Sequence, residues 1–75
     1  MRLKKTSGRE IIKILCNKFG FYTLRQSGSH VCLAKDTPKG KIGTVVPLHK
    51  EVKIGTLKNV LRLAKISEEE FCEFL

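Results

Sequence analysis

At 75 residues the chain has room for one domain, residues 1–75, and none for a separate cofactor-binding unit, so a single core between two layers must hold it. A composition of 41% hydrophobic and 29% charged residues, with six Gly and two Pro, excludes a disordered or collagen-like chain, and no apolar run is long enough to span a bilayer. Charge is lopsided: all fifteen Lys and Arg lie in residues 1–65 with only three carboxylates, a net +12, whereas residues 66–75 hold four Glu and no base. A body that basic attracts polyanions through counterion release and points to nucleic acid, although a merely solvated surface has the same composition.

Ser7-Gly8-Arg9-Glu10 has the spacing of a capping box and opens the first helix. Ile11, Ile12, Leu15, Cys16 and Phe19 then form its apolar stripe, and Gly20 ends it. Residues 21–26 read as a strand and residues 30–35 as a second, joined by a turn through Ser27, Gly28 and Ser29. Pro38 and Gly40 turn the chain into a third strand over residues 41–46, which Pro47 stops because it lacks an amide donor. Three strands on short turns make an antiparallel meander.

Gly55-Thr56 opens a second long helix, with Leu57, Val60, Leu61 and Ala64 on one buried face and Lys58, Arg62 and Lys65 as an exposed basic ridge. Ser67-Glu68-Glu69-Glu70 repeats the capping-box spacing and starts a short terminal helix that docks through Phe71, Phe74 and Leu75. The expected fold class is α+β: helix, three-stranded antiparallel meander, helix, with a short C-terminal helix. Both long helices would cover one sheet face and leave the other open.

Three cysteines, Cys16, Cys32 and Cys72, cannot all pair within one chain. They read as reduced thiols of a cytoplasmic protein without a secretory leader, Cys16 and Cys32 serving as small core hydrophobes. Alternation along the second strand sends Val31 and Leu33 toward the helices and His30 outward or to the rim. Two readings of His30 stay open: a ring that caps the hairpin by bonding to backbone, or an imidazole within reach of a phosphodiester.

Histidine, with an ordinary pKa of roughly 6.5, can take and give protons near neutrality. It could withdraw the proton of a ribose 2′-OH or donate one to the departing 5′ oxygen, each role contributing on the order of 10²- to 10⁴-fold in rate. DNA lacks the 2′-OH, so this chemistry also selects RNA. Arg25, Lys35 and Lys41 are candidate stabilisers of the pentacoordinate phosphate, and Ser27 and Ser29 candidate phosphate contacts. His49 reads as an anchor for the connection into the second long helix, and a two-histidine acid/base pair with His30 is the other reading. His30-x-Cys32 with a distant His49 has no recognised ligand spacing, so neither a metal nor another cofactor is expected.

In order along the chain, Gly20-Phe21, Arg25-Gln26-Ser27-Gly28-Ser29-His30, Val46-Pro47-Leu48-His49 and Gly55-Thr56-Leu57 before an amphipathic helix resemble the HicA family of bacterial mRNA interferase toxins. The resemblance runs from about Ser7 to Phe71. It implies a fold similar to a double-stranded RNA-binding domain and a metal-independent endoribonuclease that cleaves mRNA and arrests translation. It also implies a HicB-type antitoxin partner, with His30 as the catalytic residue of the Gly-Ser-His motif and Gly28 as its glycine. A non-catalytic double-stranded RNA-binding module is the alternative from fold and charge, and a basic DNA-binding or ribosome-associated protein a third.

Overall fold

The computed structural model describes residues 2–75. Its elements are α1 (Gly8–Lys18), β1 (Tyr22–Ser27), β2 (His30–Thr37), β3 (Gly40–Pro47), α2 (Ile54–Ala64) and α3 (Glu68–Cys72). The strands form one antiparallel sheet in the order β1-β2-β3. This is the α+β arrangement expected from the sequence, with the helix, meander, helix order of a double-stranded RNA-binding domain. No helix is long and apolar enough to cross a membrane among the described residues.

Ser7 caps α1 by accepting from the amide of Glu10 at 3.1 Å. The reciprocal half of the box is made only in the second copy of the motif, where the Ser67 hydroxyl accepts from the Glu70 amide and the Glu70 carboxylate accepts from the Ser67 amide. Past the end of α1 the Phe21 amide reaches back six residues to the Leu15 carbonyl, with Gly20 at φ 78°. That is the closure a left-handed residue permits, so Gly20 does the work expected of it.

The apolar stripe of α1 is centred differently from the expected one. Ile11, Ile14 and Leu15 are buried, whereas Ile12, Cys16 and Phe19 lie half-buried at its margin. On α2 the predicted face of Leu57, Val60, Leu61 and Ala64 is the buried one. Lys65 departs from the ridge drawn from sequence, because it sits just beyond the helix as a left-handed cap at φ 61°. On the terminal helix Phe71 is fully buried and Cys72 nearly so, while Phe74 stays 40% exposed with its ring edge-on to Phe19. The cysteine in the core is therefore Cys72, and Cys16 and Cys32 are half-buried.

Cross-strand register assigns the two faces, since residues directly opposite one another in antiparallel strands point the same way. Val31, Leu33 and Val46 face the helices and join Ile11, Leu15, Leu57, Leu61 and Phe71 in one core. Thr44 is the buried polar side chain on that side, and its hydroxyl donates to the Val60 carbonyl at 2.9 Å, tying β3 to α2. The opposite face carries no helix.

Candidate functional site

His30 opens β2 and is exposed. Its cross-strand partners are Ser27 on β1 and Pro47 on β3. Pro47 thus ends β3 as a paired residue, one position beyond the strand expected from sequence. The next row on the same open face is Arg25, Cys32 and Val45, followed by Tyr22, Ala34 and Gly43, and then Asp36 with Lys41.

A bulge decides which β1 residues reach that face. Thr23 pairs with Leu33 and Arg25 with Cys32, so Leu24 is an extra residue between them. Strict alternation from Tyr22 would turn Arg25 and Ser27 toward the helices; the extra residue reverses this and brings both to the side of His30. Sequence periodicity gives no sign of the insertion.

The hairpin that presents His30 is fixed from two sides. Gly28, at φ 60°, is the first of two turn residues, and Ser29 is not left-handed, which is the type II′ pattern of a two-residue hairpin. The Gln26 side-chain amide donates to the Gly28 carbonyl at 2.9 Å. Leu48, just past β3, donates its amide to the Ser29 carbonyl at 2.6 Å. A Cβ built on Gly28 would meet nothing within 4 Å, so a ligand has open space above the turn.

The remaining candidates divide. Arg25 lies on the open face two strand positions from His30 and is the nearest cation of that face in the register. Lys41 shares the face but stands opposite Asp36, six residues along β2, roughly 20 Å away at the ordinary strand rise. Lys35 faces the helix side, with its Nζ 5.9 Å from the centroid of the Phe21 ring. Asp36 is itself engaged, accepting from the Tyr22 hydroxyl at 3.2 Å.

His49 is exposed, and the anchoring expected of it comes from its backbone: its carbonyl accepts from the Gly8 amide at 2.9 Å. Gly8 is required there, because a Cβ at that position would collide with the Pro47 carbonyl. The start of α1 is thereby seated directly on the strand end opposite His30. Among the described residues no three His, Cys, Asp or Glu side chains are grouped to hold a metal ion.

Chemically, the site offers one solvent-accessible imidazole, the hydroxyls of Ser27 and Ser29, and a guanidinium on the same face. The model of a protein family described as HicA toxin of bacterial toxin-antitoxin matches residues 8–66. The match takes in α1, the sheet and α2 and leaves α3 outside. No curated protein sequence matches the chain.

Proposed function

Since the chain belongs to the HicA toxin family of bacterial toxin-antitoxin systems, we propose that it is a metal-independent endoribonuclease that cleaves mRNA and arrests translation, with His30 as general acid/base. The observation that carries this reading is the exposed imidazole of His30 at the end of a hairpin held by Gln26 and Leu48. It is clear of the core and has open space beside it at Gly28.

In the proposed step the ribose 2′ oxygen attacks the adjacent phosphorus as its proton leaves, the bond from phosphorus to the 5′ oxygen breaks, and that oxygen takes up a proton. The products are a 2′,3′-cyclic phosphate and a 5′-hydroxyl end. His30 serves one of the two proton transfers. Arg25, on the same face, counters the charge that gathers on the phosphate, and the Ser27 and Ser29 hydroxyls and the Gly28 turn position the backbone. Lys41 and Lys35 contribute to RNA attraction at longer range through the charge of the body. We assign the cytoplasm as the site of action and a HicB-type antitoxin as the partner that covers the open face.

The test is cleavage of a defined single-stranded transcript in excess EDTA by the parent, His30→Ala and His49→Ala proteins. The parent and His49→Ala cut, whereas His30→Ala loses on the order of 10²- to 10⁴-fold in rate while keeping its circular dichroism spectrum and its retention of RNA. Parental cleavage by His30→Ala removes the catalytic assignment. The second reading, a non-catalytic double-stranded RNA-binding module, draws on the helix, meander, helix order, and it replaces the first if the parent retains RNA and leaves it intact.

A further inference from the structure

All six residues of β1 are exposed, because the helices lie over the sheet and leave its outer strand uncovered. Between α1 and that strand opens a cleft of about 430 Å³, within the range of small-ligand sites. Ile12, Val31 and Leu48 supply its apolar surface; Arg9 and Lys13, one turn apart on α1, and Thr23 and Gln26 on β1 supply its polar groups, and no carboxylate lines it.

We propose that this cleft is a nucleotide subsite for single-stranded RNA, taking the base of one unstacked nucleotide against Ile12, Val31 and Leu48 and its phosphate between Arg9 and Lys13. The proposal rests on the reading of RNA as substrate and adds where the chain beside the scissile bond is held. Its placement follows from the register. The row of His30 is Ser27, His30 and Pro47, and three residues of the cleft, Gln26, Val31 and Leu48, are each the next residue in sequence to a member of that row, while Thr23, opposite Leu33, extends the lining farther along β1. The cleft and the imidazole therefore lie at one end of the sheet, on opposite sides of it. A strand of RNA passing over the hairpin presents a phosphodiester to His30 and its neighbouring nucleoside to the cleft.

The lining suits a single-stranded ligand. A slot bounded by a helix on one side and a strand on the other admits a base only when it is splayed from its stack, which is how sequence-dependent RNA recognition usually proceeds. Arg9 can pair with phosphate or lay its planar guanidinium on the base. Gln26 uses its side-chain N–H on the Gly28 carbonyl, so its oxygen is left to accept from an N–H on the base edge. The bulge at Leu24 turns Gln26 into the cleft by the same shift that brings Ser27 and Arg25 to the catalytic face.

The experiment is an amide-shift titration of the full-length, ¹⁵N-labelled His30→Ala protein with each of the four nucleoside 5′-monophosphates, with inorganic phosphate and with a short polyglutamate peptide. Saturable shifts at Arg9, Ile12, Lys13, Thr23, Gln26 and Leu48 are expected, with nucleotides binding at least about tenfold more tightly than inorganic phosphate. Arg9→Gln and Lys13→Gln, both at exposed positions, each weaken nucleotide binding about fivefold, whereas Lys58→Gln on α2 leaves it unchanged. An equal response to inorganic phosphate, an equal loss from Lys58→Gln, shifts confined to other surfaces, or a response to the acidic peptide alone overturns the proposal. Cleavage is not read in this titration. A protein that fills the cleft with nucleotide but cuts no RNA defeats the ribonuclease reading alone, and one that cuts RNA with a silent cleft defeats the subsite alone.

Discussion

The two faces of β2 and β3 obey different rules although the same strands make them, and β1 is exposed on both. Toward the helices the register lines up Val31, Leu33, Thr44 and Val46, every one of them buried, and the polar atom among them has its partner on α2. Toward solvent the sheet presents Arg25, Ser27, His30, Asp36, Lys41 and Val45, all exposed, with Ala34 and Pro47 the buried members of that face. Packing dictates the first set and nothing in the fold requires the second. Chemistry-bearing residues that no core contact explains are the ones to assign to a ligand, which is the logic behind placing function at His30.

Neighbouring residues of β2 offer the widest break of that contrast. Leu33 is 1% exposed and sits in the core, whereas Cys32, one position earlier, lies half-buried on the open face. Leu33→Ala should destabilise by about 3–5 kcal/mol and Cys32→Ala by less than about 1 kcal/mol, read as urea midpoints at neutral pH. Comparable losses from the two would mean that the open face is packed against something and is not a free surface. Next in size is Gly8→Ala, which touches both faces at once. The added methyl meets the Pro47 carbonyl and the start of Leu48, backbone atoms that cannot swing aside, and a loss of about 2–4 kcal/mol is expected. Because Pro47 is the cross-strand partner of His30, the same substitution should also slow cleavage by whatever molecules remain folded, a coupling that Leu33→Ala lacks.

The element order was legible because each element announces itself locally: Ser7 and Ser67 at helix starts, Gly20 and Gly28 at sites of positive φ, and the α2 face at helical spacing. The exposed position of His30 was legible for the same reason, as the first residue after a glycine turn. What stayed hidden depends on contacts between distant residues. The Leu24 bulge is a matter of pairing with β2, so the faces of Arg25, Gln26 and Ser27 could not be read from β1 alone. Lys35 and Lys41 look equivalent in sequence, yet one strand parity and six residues of strand separate them from the site. Arg9 and Lys13 look like ordinary solvated helix cations until β1 is seen to leave a cleft beside them. The tail was misread in its detail because Cys72 and Phe74 differ in burial only through where α3 docks, with Phe74 displaced onto Phe19 and Lys18.

The smallest effect sharpens the contrast from the helix side and concerns acid. Glu70 accepts from the Ser67 backbone amide in the box that starts α3, and that bond, helped by the Ser67 side chain and by the charge of Lys35 on the helix-facing side of β2, holds its carboxyl below the ordinary value of 4.5. A carboxyl whose folded pKa lies below its unfolded one contributes stability that is complete above the unfolded value and disappears as pH falls through the folded one. Glu70→Gln, which keeps the shape but not the charge, should therefore trail the parent in urea midpoint at pH 7 by a small margin, and the margin should be smaller in acid, at a pH below the ordinary value of 4.5. Amide exchange at Phe71 and Cys72 ought to follow the same course, since α3 is the helix that the box starts. A margin unchanged between the two pH values would mean that the charged form of Glu70 is not what holds α3 in place. The docking of the terminal helix would then rest on the burial of Phe71 and Cys72.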